Sequence, residues 1–307
     1  MKEKYSCSKN IEKIKNVVTD LKLSGEGLDL IINNNFYRAN LSKSNQSEAK
    51  NYDSGQLCDL LIKGKFNQLL FRTENRMHWA PNFQKPGMEY YNTIAGWQNP
   101  KRYIVNKGPY LISTQRQDSA PDVPEILLTT DYFFYAGLPY FKFYSSMDII
   151  EDVNLSLLRN DEMTMDSLFT HVAYQSNSGQ IIDLSFAERY KEFEENPIES
   201  NAPWVCFYNI DIGYAFGSIR IKYDNTNDTG LPSPTYHSHT KISDGAERGK
   251  YWNRCLIDNY PVFVPKGSSY REENAYLIFE INKEDKFKEI IEQLNIIKNP
   301  VEVTLIQ

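Results

Sequence analysis

The stretch that decides the fold is EILLTTDYFFYAGLPYFKFYSSMDI, residues 125–149. Two runs rich in aromatic residues flank the sequence Ala-Gly-Leu-Pro at residues 136–139. Aromatic and β-branched residues favour strands, and Gly and Pro supply the backbone angles of a tight turn. The stretch therefore predicts a β-hairpin.

The same pattern of residues recurs along most of the chain. Short apolar runs separated by turn residues predict at least ten strands and a mainly β protein, a large antiparallel β-sandwich. Apolar residues at helical spacing in residues 9–22 and 283–298 predict short N-terminal and C-terminal helices packed on the sheet. We expect an N-terminal helical segment over residues 1–26 and a single sandwich domain over residues 27–307.

Composition narrows the range of partners. The 307 residues carry a net charge of −6 without a basic stripe, so a nucleic-acid partner is not expected. The four cysteines lack CxxC spacing, which argues against a zinc ribbon or a redox motif. No run is apolar enough for a membrane span or a signal peptide, so we expect no membrane partner and a cytoplasmic location, or a secreted or periplasmic one if a leader has been removed. Nothing in the sequence indicates an oligomeric state.

Two segments near the start carry a resemblance to a known family. INNNFYRANLSKS at residues 32–44 has an Asn-x-x-Phe/Tyr-x-Ala-x-Leu pattern, and SGQLCDLLIKGK at residues 54–65 follows it as a Gly turn and a second strand. This layout resembles the opening hairpin of galactose-mutarotase-like β-super-sandwich domains. Such domains occur in aldose epimerases, glycoside hydrolases and polysaccharide lyases. The resemblance implies a super-sandwich over most of residues 27–306 and a carbohydrate as substrate or ligand.

Two of the four histidines, His237 and His239, lie in SPTYHSHTKIS, residues 233–243. On a strand, residues two apart share a face, so the two imidazoles would form an acid/base patch or half of a metal site. A divalent metal would need further ligands, for which His78, His171, Glu162 and Glu89 are the candidates. The alternative is a solvent-facing edge strand with incidental histidines.

Three further polar stretches supply candidate site residues. In residues 157–171, Arg159 could hold a substrate and Glu162 could act as general base; the alternative is a surface turn. In residues 72–84, a Trp beside His and Arg suits stacking on a sugar ring. Residues 245–258 offer Tyr251 as a general acid. The full set is catalytic His237, His239, His78, Tyr251 and Glu162, with substrate-binding Arg76, Trp79, Arg159, His171, Trp252 and Arg254.

These observations lead to two hypotheses. The first is a carbohydrate-active enzyme that moves a proton at a sugar carbon, by lyase-type β-elimination or by epimerisation, with an arginine stabilising the developing charge. The second is a non-catalytic carbohydrate-binding or accessory protein, which requires no convergence of the histidines. A hydrolase using the adjacent Asp161 and Glu162 is a weaker option, because neighbouring residues on a strand point to opposite faces.

Overall fold

A computed structural model describes most of the chain as strands in three antiparallel sheets. The described residues are 18–41, 54–64, 68–70, 77–97, 100–165, 168–187, 197–236, 239–244 and 250–300. The predicted last strand, residues 301–307, lies outside them.

The central layer is a nine-stranded sheet in the order β14-β13-β15-β16-β19-β11-β10-β9-β8. Its strands are β8 (Arg102–Lys107), β9 (Leu111–Ala120), β10 (Val123–Tyr135), β11 (Tyr140–Ile149), β13 (His171–Gln175), β14 (Ile181–Ser185), β15 (Trp204–Asn209), β16 (Tyr214–Asp224) and β19 (Ser269–Glu280). The hairpin predicted over residues 125–149 is confirmed, because β10 and β11 pair antiparallel from Ile126↔Ile149 to Phe134↔Phe141.

Two five-stranded sheets accompany this layer. The first, in chain order, contains β1 (Lys22–Glu26), β2 (Asp29–Asn33), β3 (Tyr37–Leu41), β4 (Leu57–Ile62) and β5 (Gln68–Leu70). The second, in the order β17-β18-β12-β6-β7, contains β6 (Asn82–Gln84), β7 (Asn92–Thr93), β12 (Val153–Met165), β17 (Thr240–Asp244) and β18 (Lys250–Val264).

The core lies mainly between the nine-stranded sheet and the two smaller sheets. One apolar cluster joins the first small sheet to the central layer, with Tyr37, Tyr132 and Phe141 fully buried. A second joins the other small sheet to the same layer through residues such as Leu128 and Leu158. The mainly β sandwich expected from the sequence is therefore confirmed.

The structure also contains a C-terminal helix, α1 (Lys288–Lys298), and a 3-10 turn, Ile94–Gly96. Ile290 and Leu294 of α1 pack on the opposite side of the nine-stranded sheet, as the C-terminal helical pattern predicts. None of the helical segments described is long and apolar enough to cross a membrane.

The N-terminal helical prediction lies largely outside the described residues, and its last part is wrong. Residues 18–21 are not helical and β1 starts at Lys22. The side chain of Asp20 accepts hydrogen bonds from the backbone N–H groups of Asn35 and Gly137, and β1 pairs with β2 along its whole length. These tertiary contacts outweigh the local helical preference.

Candidate functional site

The polar stretch at residues 157–171 is not a surface turn. Asn160, Asp161 and Glu162 lie inside the long strand β12 and are only 2–3% exposed. Asp161 has a positive φ of 46°, and the pairing of β12 with β18 shifts register between Asn160 and Met163. Such a bulge re-aims neighbouring side chains. As a result the two adjacent carboxylates, Asp161 and Glu162, have different partners.

The carboxylate of Asp161 reaches across to the nine-stranded sheet. It accepts hydrogen bonds from Trp252 Nε1 at 3.1 Å, Tyr276 Oη at 2.9 Å and Ser218 Oγ at 3.0 Å. Burial raises the pKa of Asp161, while the positive charge of Arg220 and these three donors oppose that rise. Trp252, predicted to bind substrate, is fully buried and serves here as a hydrogen-bond donor.

His78 is fully buried beside the same carboxylate and links two tyrosines. Its Nδ1 lies 2.7 Å from the hydroxyl of Tyr132, and its Nε2 lies 3.3 Å from the hydroxyl of Tyr276. Burial, reinforced by the charge of Arg116, lowers the pKa of His78 well below its usual value. The imidazole is therefore neutral at physiological pH.

The hydrogen-bond donors in the series that links Tyr132, His78, Tyr276 and Asp161 can be assigned from its two ends. Because the hydroxyl of Tyr276 donates to Asp161, its oxygen can accept a hydrogen bond from the Nε2–H of His78. Nδ1 is then the unprotonated nitrogen and accepts from Tyr132, whose oxygen in turn accepts from the backbone N–H of Leu57 at 3.2 Å. The order Tyr132, His78, Tyr276, Asp161 is thus one continuous run of hydrogen bonds between the layers.

Arg254, predicted to bind substrate, is also fully buried. Its Nε lies 3.4 Å from Oε2 of Glu272, its Nη1 donates to the carbonyl of Ser200 at 2.8 Å, and its guanidinium carbon is 3.8 Å from the centroid of the Tyr223 ring. Burial raises the pKa of Glu272, an effect that Arg254 opposes. This buried pair and the run through His78 belong to the interior of the sandwich.

Arg159 and Glu162 lie together, as a joint role would require, but each is held by protein groups. Nη1 of Arg159 is 3.8 Å from Oε2 of Glu162, and Nη2 is 3.6 Å from Oδ1 of Asp258. Asn82 donates to Oε2 of Glu162 at 2.7 Å. The positive charge of Arg159 is therefore shared between two carboxylates.

The remaining predicted residues are dispersed. His171 is half-buried and stacks on Tyr208, on the helix-covered side of the nine-stranded sheet, whereas His78 lies on the other side. Tyr251 is half-buried in β18 opposite Ser243. Trp79 is half-buried, and its backbone N–H donates to the carbonyl of Glu162. The backbone carbonyl of His239 accepts from the backbone N–H of Cys255. His239 precedes β17 rather than lying within it. His237 and Arg76 lie outside the described residues.

In the part of the chain that the structure describes, no group of three or more His, Cys, Asp or Glu side chains is arranged to hold a metal ion. His78, Glu162, Trp252 and Arg254 are at most 3% exposed, so in this conformation no substrate could touch them. Their catalytic and binding roles stay predictions.

A surface that is open to ligands lies on the helix-bearing side of the nine-stranded sheet, opposite to His78. We call it the open face: the outward-facing side chains of β8–β11 and of the first half of β19. They alternate with buried residues, as expected for a sheet with one solvated side. Cross-strand pairing defines two rows, Arg102-Gln117-Thr129-Ser146-Arg271 and Ile104-Gln115-Asp131-Tyr144-Glu273.

A cleft of about 530 Å³ lies at the β8 end of the open face. This volume is within the range of small-molecule sites, roughly 300–1,000 Å³. Hydrogen bonds order one of its rows: Arg102 donates to Gln117 at 3.4 Å, and Gln117 donates to Thr129 at 2.9 Å. The lining residues combine amide, hydroxyl and cationic groups with a tyrosine and an isoleucine: Lys101, Arg102, Tyr103, Ile104, Gln115, Gln117 and Thr129.

Beside the cleft, Asp131 and Tyr144 lie directly opposite each other on β10 and β11. Both side chains are half-buried, and burial raises the pKa of each. A hydrogen bond with Gln115 and the charge of Arg116 oppose the rise for Asp131. A carboxylate with a raised pKa is a stronger proton acceptor, which makes Asp131 a candidate base on the open face, whereas the raised pKa of Tyr144 makes its hydroxyl a weaker acid.

Sequence reasoning missed the open face. The sequence carries little signal for it, because residues 113–119 are all polar although Thr114 and Arg116 are fully buried. Hydropathy therefore does not separate the outward side chains of β9 from the inward ones.

No protein-family model matches the sequence, and no curated protein is found to be similar to it. Among solved structures, the GalM/aldose epimerase homologue from C. elegans aligns with a TM-score of 0.43 and 10% identity, over 81% of this chain and 97% of that one. A galactose mutarotase-like protein from Lactobacillus casei gives 0.43 and 8%, over 81% and 99%. The galactosidase domain of alpha-galactosidase-sucrose kinase, AgaSK, gives 0.48 and 6%, over 84% of this chain and 42% of that one.

These structures are of the kind that the opening strands resemble, so the expected resemblance is found. With identities of at most 10% and TM-scores below 0.5 among these three, it says nothing about what this chain binds or catalyses.

Proposed function

We propose that this protein binds a carbohydrate on the open face, in the cleft formed by β8, β9 and β10. The observation that carries the proposal is the lining of that cleft: two glutamine amides, a threonine hydroxyl and an arginine in register on neighbouring strands. Amides and hydroxyls both donate and accept hydrogen bonds, as sugar hydroxyls do. Ile104, 53% exposed and paired with Gln115 on the open face, offers apolar surface for the C–H groups of a sugar ring.

A screen of the full chain against immobilised neutral and acidic oligosaccharides tests this proposal, followed by calorimetry on the best ligand. Gln115 is exposed in the cleft, so Gln115→Leu should weaken binding at least about tenfold by removing hydrogen bonds to the ligand. Gln180→Leu is the matched control, because Gln180 is an exposed glutamine in a turn away from the open face. Absence of binding to every oligosaccharide, or equal effects of the two variants, would contradict the proposal.

A second candidate function is proton transfer at a sugar carbon, by epimerisation or by lyase-type elimination. The observation in its favour is the cross-strand pair Asp131 and Tyr144 beside the cleft. The carboxylate of Asp131 would take the proton from carbon, and the hydroxyl of Tyr144 would give a proton to the opposite side of the ring or to the departing oxygen.

Proton NMR in D₂O tests this candidate, because proton transfer at carbon replaces a C–H signal by deuterium. Asp131→Asn should abolish the exchange and leave binding in place. Binding of the ligand by the wild type without any exchange would leave the protein a carbohydrate-binding one and contradict this reaction. Catalytic roles for His237, His239 and Arg76 stay predictions in the same assay.

A further inference from the structure

The charges on the open face are almost fully paired within the protein. Lys142 lies 3.2 Å from Glu273, Arg271 lies 3.4 Å from Asp148, and Lys101 lies 3.5 Å from Asp118. Most of the positive charge on this face is therefore already neutralised by a neighbouring carboxylate.

Arg102 is the exception in the cleft. Its guanidinium has a neutral partner, Gln117 at 3.4 Å, and none of the carboxylates in the described residues forms an ion pair with it. A guanidinium has five N–H donors, of which this contact uses one. Gln117 is in turn fixed by its own hydrogen bond to Thr129, so the group that contacts Arg102 is held in place.

From this we infer that the cleft selects an anionic saccharide, one whose carboxylate, sulfate or phosphate group pairs with Arg102. The inference rests on the proposed function and names the class of ligand for that same site. Arginine suits such groups because its planar fork can donate two parallel hydrogen bonds to two oxygens of one anion. The sugar ring would then lie over Ile104 and Gln115, which form the cross-strand pair next to Arg102 and Gln117.

The charge of the cleft supports this choice over a neutral or cationic ligand. Lys101 and Arg102 are its charged lining residues, no carboxylate belongs to the lining among the described residues, and because Lys101 is paired with Asp118 the unpaired positive charge is that of Arg102. The lining is thus net positive, although the chain as a whole carries −6. A local positive charge on a negative protein favours an anion at this place and not elsewhere on the surface.

The test measures the affinity of the full chain by calorimetry for three probes. These are trigalacturonate, its fully methyl-esterified counterpart and a sulfated galactan trisaccharide. The wild type should bind at least one of the two acidic probes about tenfold more tightly than the neutral ester, and this preference should shrink as NaCl is raised. The comparison between the two acidic probes decides between a carboxylate and a sulfate ester.

Two variants decide whether Arg102 is the cause. Arg102→Gln should lower the affinity for the acidic probe about tenfold and leave the affinity for the neutral ester unchanged. Lys107→Gln is the matched control, since Lys107 is an exposed cation at the other end of β8 and does not line the cleft. Circular dichroism establishes that both variants keep the wild-type fold.

The failures are distinguishable. If the neutral ester binds as tightly as the acidic probes and Gln115→Leu weakens both, the site is a carbohydrate site and the anionic preference is wrong. Equal effects of Arg102→Gln and Lys107→Gln would assign the preference to general surface charge and overturn the role of Arg102. If none of the probes and no oligosaccharide of the screen binds, the proposed function fails and the anionic preference fails with it.

Discussion

The hydroxyl of Tyr276 donates a hydrogen bond of 2.9 Å to Oδ1 of Asp161, and through it the nine-stranded sheet is tied to the second five-stranded sheet. Both side chains are buried, and the same hydroxyl lies 3.3 Å from Nε2 of His78. A buried polar group that loses its partner bears the full desolvation cost, so the contact should matter for stability.

Tyr276→Phe should lower the free energy of unfolding by about 1–3 kcal/mol, because Asp161 loses a donor and His78 loses an acceptor. Urea denaturation followed by circular dichroism measures the change. Tyr110→Phe is the control, since the Tyr110 side chain is 62% exposed, and it should change stability by less than about 0.5 kcal/mol. Equal effects of the two variants would contradict a structural role for the buried hydroxyl.

The buried pair of Arg254 and Glu272 gives a second prediction. Their side chains are 0% and 1% exposed, so Arg254→Met should leave the Glu272 carboxylate buried without its cationic partner and destabilise the protein by about 3–5 kcal/mol. Adding Glu272→Leu should restore part of that loss, as measured by the same denaturation experiment. Lys142→Met breaks the half-exposed pair with Glu273 and should cost about 1 kcal/mol or less. If the Arg254→Met, Glu272→Leu double variant were less stable than Arg254→Met alone, the loss could not be attributed to an uncompensated buried charge on Glu272.

Stability should depend on pH through His78. Because its folded pKa lies well below the usual value, the unfolded chain binds a proton near pH 6.5 that the folded protein does not take up. The unfolded state then binds more protons, so stability falls as the pH drops below about 6.5 and is regained above it, by about 1.4 kcal/mol between pH 5.5 and neutral pH.

His78→Asn should remove this part of the pH dependence, which denaturation at pH 5.5, 7 and 8.5 would show. Other buried acids act in the opposite direction, since burial raises the pKa of Asp161 and of Glu272, and they are common to both proteins. The informative quantity is therefore the difference in the free energy of unfolding between the wild type and the variant at each pH. A difference that stays the same from pH 5.5 to pH 8.5 would show that His78 takes up a proton in the folded state as readily as in the unfolded one.

Gly64 provides a test of packing between β4 and β16. A Cβ at this residue would overlap the hydroxyl of Tyr214, and its φ of +148° is itself unfavourable for alanine. Gly64→Ala should therefore destabilise the protein by about 2 kcal/mol or more. Gly137→Ala is the matched control, with a φ of +69° and open space around it, and it should cost about 1 kcal/mol. Thermal unfolding compares the two, and a smaller effect at Gly64 would contradict the close approach.

The sequence was a good guide to the elements and a poor guide to their surroundings. Alternating aromatic runs predicted the hairpin of β10 and β11, and the helical stripe predicted α1, because both signals arise from side chains that are close in the chain. The run Arg159–Glu162 also follows local rules, which favour a turn, but its partners Asn82, Asp258 and Tyr276 are distant in sequence. Local preference cannot anticipate them.

For the candidate site, too, the residue types could be read from the sequence but their solvent exposure could not. The residue types that carry chemistry were visible, and His78, Glu162 and Arg254 were chosen for that reason. Whether such a side chain meets solvent depends on which sheet covers its strand. Arg116 and Gln117 are neighbours in β9, yet one is fully buried between the layers and the other lines the cleft.

The mainly β architecture, the hairpin at residues 125–149 and the C-terminal helix could all be predicted, because periodicity and turn chemistry are properties of neighbouring residues. Long-range strand pairing, by contrast, places His78 and His171 on opposite sides of one sheet and puts His78, Glu162 and Arg254 in the interior. The reason is physical: strands far apart in the chain cover one side of the nine-stranded sheet and leave part of the other open. Solvent exposure, which decides what a ligand can reach, follows from that covering.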